Sequence, residues 1–342
     1  MTAADRLTWF RRLARLGAVL ALVVIVMGAW VRLTAAGLGC PDWPGCYGHL
    51  HPSAAVAETD AINAAHPNRH FDYGKALREM VHRYAATTLG VVILGLAALA
   101  VWNRRLRAQP RVVPFVLVLV VCLQGLLGAL TVTKLVAPPI VTLHLAGGLT
   151  TLSILWWLSL RPEARPARAV ERRIRPWAVA AIAVLAVQIL LGGWTSTNYA
   201  ATACPDFPTC QGTLHPAADF RSGFVLWRGI GQDYEGGVLG SDARVAIHWT
   251  HRVGAVIAGL TLLALALVAL RRGQSRPLKL AAGAVIGALC LQWLIGMNLI
   301  WQGFPLWLGT AHNAGAALLL LSAVALLRYL SPVSSSPQVA RR

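Results

Sequence analysis

One pattern occurs twice in this sequence, as Cys40-Pro41-Asp42-Trp43-Pro44-Gly45-Cys46-Tyr47-Gly48-His49-Leu50-His51-Pro52 and as Cys204-Pro205-Asp206-Phe207-Pro208-Thr209-Cys210-Gln211-Gly212-Thr213-Leu214-His215-Pro216. The copies are 164 residues apart, which is close to half of the 342-residue chain. Other residues recur with nearly the same offset: His82-Arg83 as His251-Arg252, Gln124 as Gln292, and His144 as His312. Because Cys, His, Arg and Gln recur rather than generic apolar residues, the pattern predicts an internal duplication. We expect one unit at 1–165, a second at 166–331 and a tail at 332–342.

The composition indicates a membrane protein. Apolar residues make up 56% of the chain and charged residues only 13%. Eight apolar stretches are long enough to cross a hydrocarbon core of about 30 Å, and none alternates with the period of a barrel strand. The stretches cover residues 16–36, 80–102, 113–134, 139–160, 177–197, 246–270, 278–301 and 307–330. The sequence therefore predicts an all-α integral membrane protein with eight transmembrane helices, arranged as two pseudosymmetric four-helix bundles.

Lys and Arg residues indicate the orientation of these helices. They concentrate before the first helix and in three short connections, at residues 6–15, 104–111, 161–175 and 271–279. This predicts that both termini are cytoplasmic and that the long connections 37–79 and 198–245 are external or periplasmic. The net charge of +18 is then mainly a topology signal, because charge scattered over short connections does not form a nucleic-acid surface.

The first apolar stretch indicates the compartment. No small-residue cleavage site follows it, so we expect a retained helix rather than a signal peptide. No presequence rich in Arg and Ser precedes it either. A bacterial plasma (inner) membrane is therefore favoured over an organelle.

Four of the six cysteines form two Cys-x5-Cys pairs on the predicted external face, where disulfides are permitted. We predict the bridges Cys40–Cys46 and Cys204–Cys210, since prolines bend each intervening segment. Each bridge is either a structural staple of its loop or a redox-active disulfide in a short, exposed closure. A zinc site is disfavoured because four ligands would have to converge. The other two cysteines lie within predicted helices, and we interpret them as packing residues.

Four histidines lie at the external ends of every second predicted helix: His82, His144, His251 and His312. An ionisable residue in a membrane segment is costly and is a functional hypothesis by default. An interhelical hydrogen bond would explain a single histidine better than four at repeated positions. Two histidines on neighbouring helices, without carboxylates or thiolates, suit the two axial faces of a haem. We therefore predict two bis-histidine haem sites, one in each unit.

Residues beside these histidines are compatible with a haem. Glycines follow three or four positions later, one helical turn away, where they would admit a flat macrocycle or simply allow close helix packing. They are Gly147, Gly148, Gly254 and Gly315. Arg83 and Arg252 directly follow their histidines, and each either pairs with a haem propionate or extends to water.

Glu79 marks a difference between the units. It precedes His82 by three residues, whereas His248 holds the corresponding position before His251. Two identical electron carriers would not need this difference, but a substrate site beside a permanent cofactor would. Glu79 could act as a base or stabilise developing positive charge. Alternatively, it pairs with a neighbouring Arg or Lys near the membrane surface.

Together these residues resemble the haem A synthase family over about residues 15–330. The resemblance rests on the motif around Cys40 and on Glu79-Met80-Val81-His82-Arg83, His144-Leu145-Ala146-Gly147-Gly148, His251-Arg252 and His312-Asn313-Ala314-Gly315. It implies a membrane oxidoreductase that converts haem O to haem A for terminal oxidases. In that reaction a ring methyl group is oxidised to a formyl group through successive hydroxylations.

The resemblance also implies a role for each half of the chain. The N-terminal half would hold the substrate haem O between His82 and His144, with Glu79 as the catalytic carboxylate. The C-terminal half would hold a permanent haem b, with its iron between His251 and His312. The first Cys pair matches a functionally important pair of the family, whereas the second occurs only in some members. The implied partners are a haem O synthase, which is a farnesyltransferase, and an electron donor of unknown identity.

Two other functions are compatible with the same residues. One is a dihaem membrane cytochrome that transfers electrons from quinol. The other is a haem transporter or chaperone built from parallel repeats, since each unit contains an even number of helices. The difference between Glu79 and His248 favours the enzyme over the cytochrome.

Overall fold

The computed structural model describes residues 2–65, 67, 69–106, 108–229 and 231–332, so nearly all of the predicted tail lies outside the described residues. Over the described ranges the chain is helical, and β-pairing is limited to two isolated bridges. Eight helices are long and apolar enough to cross a membrane, which confirms the predicted number. They are α1 (Ala3–Leu33), α3 (Tyr73–Trp102), α4 (Val113–Thr133), α5 (Pro138–Ser159), α6 (Ala169–Thr197), α8 (Ser241–Arg272), α9 (Arg276–Trp301) and α10 (Leu306–Tyr329). The short helices α2 (Thr59–Ala65) and α7 (Phe220–Gly223) lie in the connections.

Several of the long helices begin earlier than the apolar stretches predict. The first starts at Ala3 instead of residue 16, because Thr2 and Asp5 cap it reciprocally, with hydrogen bonds of 3.2 and 2.9 Å. Helix α3, the second long helix, starts at Tyr73 instead of residue 80. Its N-terminus is capped by the Asp72 carboxylate, which accepts the amide N–H of Lys75 at 2.9 Å. Hydropathy identifies only the part of a helix that can meet hydrocarbon, so polar turns beyond it are missed.

Contacts join the first four long helices to the last four. Helix α1 packs against α3 and α5, and it also contacts α10, while α5 contacts both α6 and α10. One apolar cluster extends through both sets, with Phe10, Leu152 and Leu326 among its fully buried side chains. At the end that carries the Cys patterns, Arg32 donates to the Ser196 carbonyl at 2.9 Å. The two sets of helices therefore share one core.

The outward faces of the helices are apolar. Leu119 and Leu126 on α4 and Leu294 on α9 are each more than half exposed within the chain, as expected for surfaces that meet lipid. Cys122 on α4 and Cys290 on α9 are free and exposed as well. Their interpretation as packing residues is therefore wrong. A helix that is apolar on all sides does not reveal from its sequence which face is covered by protein.

Candidate haem-binding and redox site

The first Cys loop, residues 40–52, is closed by the predicted Cys40–Cys46 disulfide. The Asp42 carboxylate accepts the amide N–H groups of Tyr47 at 2.6 Å and Gly48 at 2.9 Å. Both of these residues have positive φ, of 55° and 77°, and the glycine takes that conformation without steric cost. The aspartate thus organises the turn that follows the disulfide.

The second Cys loop, residues 204–216, has the same construction around the predicted Cys204–Cys210 disulfide. The Asp206 carboxylate accepts from Gln211 N at 2.6 Å and from Gly212 N at 2.9 Å. Hydrogen bonds from the Thr209 hydroxyl and the Gly212 amide lower the pKa of Asp206 to about 2. The carboxylate therefore keeps its charge, and with it these bonds, at any pH well above that value.

Each Cys loop is held by the arginine that follows a candidate haem ligand. Arg83 Nη1 donates to the carbonyls of Asp42 at 3.0 Å and Gly45 at 2.6 Å. Arg252 Nη1 donates to the carbonyls of Asp206 at 2.8 Å and Thr209 at 2.7 Å, and its Nη2 donates to the Cys204 carbonyl at 2.8 Å. Several N–H donors of each guanidinium group are therefore already used by loop carbonyls and are not free to bind a propionate. Propionate binding by the two arginines stays a prediction.

The disulfides lead to a direct chemical test. Alkylation with a maleimide in denaturing detergent, before reduction, is expected to modify only Cys122 and Cys290, because these are the two cysteines outside the disulfides. After reduction in denaturant, all six cysteines should react. The mass of the intact protein measures both numbers. Modification of four or more cysteines without reduction would contradict the pairing, and the Cys122→Ser, Cys290→Ser double variant provides the unmodified control.

His251 on α8 and His312 on α10 face each other. Their ring centroids are 6.5 Å apart, and the ring planes meet at 79°. Metal–imidazole bonds are roughly 2.0–2.1 Å long, so the separation of the ring centroids is compatible with a single metal ion between the rings. Among the residues that the structure describes, no three His, Cys, Asp or Glu side chains form a group that could hold a metal.

His82 on α3 and His144 on α5 form the second candidate pair. The Nδ1 atom of each ring is buried. A backbone carbonyl lies within hydrogen-bonding reach of each ring, that of Val24 at His82 and that of Gln124 at His144. Binding of a metal-containing group would orient these rings and is consistent with their burial.

All four histidine rings lie against glycines on neighbouring helices. A Cβ added to these glycines would lie 3.0–3.6 Å from the ring Cε1 atom. The contacts are Gly28 with His82, Gly128 with His144, Gly192 with His251 and Gly296 with His312. The sequence reasoning missed these glycines because they lie on the partner helix and not on the helix that carries the histidine.

The glycines singled out from the sequence border glutamine side chains rather than open space. A Cβ added to Gly147, Gly254 or Gly315 would come within 1.7–2.2 Å of the side-chain amides of Gln124, Gln188 and Gln292, respectively. Beside Gly148, the nearest atom is Ile25 Cγ1 at 3.7 Å. Of the two alternatives for Gly147, Gly254 and Gly315, close packing between helices is the one that these contacts favour. A repeated Gln-x3-Gly spacing, at 124–128, 188–192 and 292–296, is the signal that could have identified the glutamines.

Glu79 is buried where the first Cys loop meets α3, with only 4% of its surface exposed. One carboxylate oxygen accepts the amide N–H of Cys40 at 2.9 Å, and the other forms an ion pair with Arg83. Gly39 permits this approach, because a Cβ there would lie 2.7–2.9 Å from the backbone of Lys75 and Ala76. The predicted ion pair is confirmed. The carboxylate is held by two directed contacts beside a disulfide and one helical turn from His82.

His248 occupies the corresponding position in the second half. Its Nε2 accepts a hydrogen bond from Arg252 Nε at 3.2 Å, and its ring lies edge-on to Phe304, with centroids 6.2 Å apart. The side chain is buried. Arginine thus contacts a carboxylate in one half and an imidazole in the other, and only the first half carries an acidic group at this point.

Comparisons with known proteins agree with the resemblance seen in the sequence. Residues 11–324 match the model of the family described as cytochrome oxidase assembly protein, COX15-CtaA. A haem A synthase from Shewanella oneidensis is 40% identical over 97% of this chain and 98% of its own length. Haem A synthases from a Caulobacter species and from Rhizorhabdus wittichii are 30% and 28% identical, over 90% and 89% of this chain and 91% and 88% of their own lengths. With eight candidate membrane helices and two cysteine-bridged loops, the chain belongs to the COX15-CtaA family of cytochrome oxidase assembly proteins.

Proposed function

We propose that this protein is a haem A synthase, a multi-pass membrane oxidoreductase that acts on haem O. Its family and the names of its curated relatives support this function. The observation that carries the proposal is the buried Glu79 carboxylate one helical turn before His82, with His248 at the corresponding position in the other half. A protein that only passes electrons between two equal haems would have no use for this difference.

The two histidine pairs would have different occupants. His251 and His312 would hold a permanent haem b, which supplies one-electron transfer when bound. Their ring separation of 6.5 Å supports a single iron between them. His82 and His144 would face the iron of the substrate, haem O. The backbone carbonyls of Val24 and Gln124 beside these rings support this assignment, because a metal-bound histidine commonly donates its other ring N–H to a backbone carbonyl.

Glu79 is the proposed catalytic carboxylate. The ring methyl group would be oxidised to a formyl group through successive hydroxylations, with dioxygen as the oxidant and oxygen source and with a separate donor supplying the electrons that reduce its second oxygen atom to water. These steps remove hydrogen from a carbon attached to an electron-rich ring. A carboxylate beside that carbon can stabilise developing positive charge or accept the proton. The Cys40 amide and Arg83 hold the two carboxylate oxygens, so its direction is fixed before the substrate binds. Arg83 and Arg252 remain candidates for binding propionates.

The proposed organisation is two copies of one four-helix unit, at 1–165 and 166–331. The matching construction of the two Cys loops supports the duplication, since Asp42 and Asp206 cap equivalent turns and Arg83 and Arg252 hold equivalent carbonyls. By the distribution of Lys and Arg, both termini would be cytoplasmic and both Cys loops periplasmic, in a bacterial plasma membrane. A haem O synthase would supply the substrate, and a separate donor would supply electrons.

Heterologous expression tests the function. The chain would be produced in a bacterium that makes haem O but no haem A, together with an empty-vector control. Haems extracted from the membranes are expected to include haem A only when the chain is present. Chromatography of the extract measures it. Haem O alone, in membranes where the protein has accumulated with its own haem, would instead favour the dihaem cytochrome.

A further inference from the structure

Three arginines lie together at the end of the molecule opposite to the Cys loops. Arg11 lies near the start of α1, Arg161 two residues after the end of α5, and Arg328 in the last turn of α10. The charges of Arg11 and Arg161 act on each other, and so do those of Arg11 and Arg328. The three guanidinium groups, which we call the arginine cluster, therefore come from both halves of the chain and repel one another.

Two members of the arginine cluster project from the core-facing sides of their helices. Ala14, three positions after Arg11 on α1, is completely buried. Val324, four positions before Arg328 on α10, is buried as well. Arg12, the next residue on α1, is exposed, whereas Arg11 and Arg328 are partly covered. These two arginines are thus directed toward the junction of the helices and not simply toward water.

Arg328 is held in place by an aromatic ring. Its guanidinium carbon lies 4.6 Å from the ring centroid of Trp157 on α5. Beside it, Trp156 Nε1 donates to the Leu321 carbonyl at 3.0 Å, which ties α5 to α10. The Nε atom of Arg328 is buried and has no hydrogen-bond partner among the described residues. Since a buried donor without an acceptor is costly, this N–H favours an acceptor from another molecule.

The acidic residues at this end are already engaged elsewhere. The segments next to it contain Asp5, Glu163 and Glu171. Asp5 caps α1 by accepting the Thr2 amide at 2.9 Å. Both glutamates pair with Arg165, each at 2.6 Å. Within the described ranges, no carboxylate pairs with a member of the arginine cluster, so its charge is not neutralised by the protein.

The cluster lies at the level expected for lipid headgroups. Three tryptophans at the same end are more than half exposed within the chain, which is typical of residues at the membrane interface. They are Trp9, Trp102 and Trp177. Trp9 is only two residues from Arg11 on α1. An anion at this depth can be continuous with acyl chains that cover the apolar outer surfaces of the helices.

We propose that the arginine cluster binds the phosphate group of an anionic phospholipid, and that this lipid joins the two halves at the end opposite to the Arg32 contact. Guanidinium groups match phosphate in geometry and charge. Basic pockets between transmembrane helices on the cytoplasmic side bind lipid headgroups, and the distribution of Lys and Arg indicates that this end is cytoplasmic. The phosphate would offset the repulsion between Arg11 of one half and Arg328 of the other.

Thermal unfolding tests the site in purified, haem-containing protein from which lipid has been removed with a neutral detergent. Tryptophan fluorescence reports unfolding while dioleoylphosphatidylglycerol, dioleoylphosphatidylcholine or inorganic phosphate is added. We expect the phosphatidylglycerol to raise the unfolding temperature in a saturable way, because a ligand that binds only the folded state stabilises it. The other two probes should leave this temperature unchanged. Native mass spectrometry of the same samples should show a single phosphatidylglycerol retained by each chain.

Two double variants with the same loss of charge separate the arginine cluster from the general positive charge of this end. In the Arg11→Gln, Arg328→Gln protein, the phosphatidylglycerol concentration that gives half of the effect should rise about 30-fold, because two basic residues are removed from the headgroup. The Arg104→Gln, Arg105→Gln protein changes exposed residues and should respond like the unmodified protein. Should the first variant fail to accumulate, Arg161→Gln alone should raise the same concentration about five-fold.

Equal stabilisation by phosphatidylcholine would overturn the proposal, and so would an equally weakened response in the Arg104→Gln, Arg105→Gln protein. Stabilisation by inorganic phosphate at the same concentrations would overturn the lipid assignment and make the cluster a site for free phosphate. None of these measurements requires formation of haem A. The haem assignments can therefore fail without affecting the result.

Discussion

A Glu79→Gln protein is expected to form haem A at least 100-fold more slowly than the unmodified protein while retaining its resident haem b. Positioned acid–base groups typically contribute about 10²–10⁴-fold to rate. Glutamine has the shape of glutamate, and its single Oε1 can still accept the Cys40 amide N–H, so that loop contact survives while the charge and the ion pair with Arg83 are lost. Chromatography of extracted haems measures the product, and the haem b spectrum reports on the fold.

Two further variants sharpen this experiment. Glu58→Gln removes an exposed carboxylate near the first Cys loop, which lies 3.4 Å from His49 Nε2, and should have no effect on haem A. Glu79→Ala also removes both contacts of the carboxylate, so it should loosen the Cys40–Cys46 loop in addition to stopping the reaction. Haem A at the unmodified level in membranes containing Glu79→Gln would refute the catalytic role.

Alanine at His251 or His312 is expected to remove the low-spin, bis-histidine spectrum of haem b from the purified protein and to lower its haem content, because each variant leaves the iron with one axial imidazole. Alanine at His82 should leave the same spectrum intact. Haem content per chain, determined by pyridine haemochrome after purification, gives the result. The separation of 6.5 Å between the ring centroids of His251 and His312 is compatible with both rings binding one iron.

The control for the histidine series is His215→Ala in the second Cys loop, where the side chain is exposed. It should keep its haem b in full. Loss of the resident haem from the His82→Ala protein, together with its retention in the His251→Ala protein, would mean that the two halves have been assigned in the wrong order. Loss of the resident haem from the His82→Ala, His251→Ala and His312→Ala proteins alike would indicate that the halves do not bind haem independently.

Much of the fold follows from the sequence, because length and hydropathy are enough to locate a membrane helix. The first helix shows the limit: thirteen residues before the predicted start at 16 belong to it, and they contain arginines that a search for apolar stretches rejects. The pairing of Cys40 with Cys46 was predictable from the short spacing, the prolines between the two residues and their predicted external location. The exposure of Cys122 was not, since a helix with apolar residues on every side gives no periodic signal.

For the candidate site, residues that differ between the copies were easier to identify than contacts between helices. Glu79 stood out because its counterpart is His248, and the structure adds that Cys40 and Arg83 hold its carboxylate. The partner of Gly254 could not be inferred, because helix packing brings Gln188 to it from another helix. A comparison of the two copies identifies candidate functional residues in the sequence. It does not identify which side chains of different helices touch, because those contacts depend on how the helices pack.

The link between the two halves has a consequence for stoichiometry. Helices α5 and α6 are joined by residues 160–168 at one end of the molecule, and Arg32 ties α1 to the Ser196 carbonyl on α6 at the other. A single polypeptide therefore carries one copy of each half in a fixed ratio, whatever the level of expression. Because the two halves are connected at both ends of the molecule, the distance between the two proposed haem sites is fixed by the fold. Their effective concentration relative to each other therefore does not depend on diffusion in the membrane.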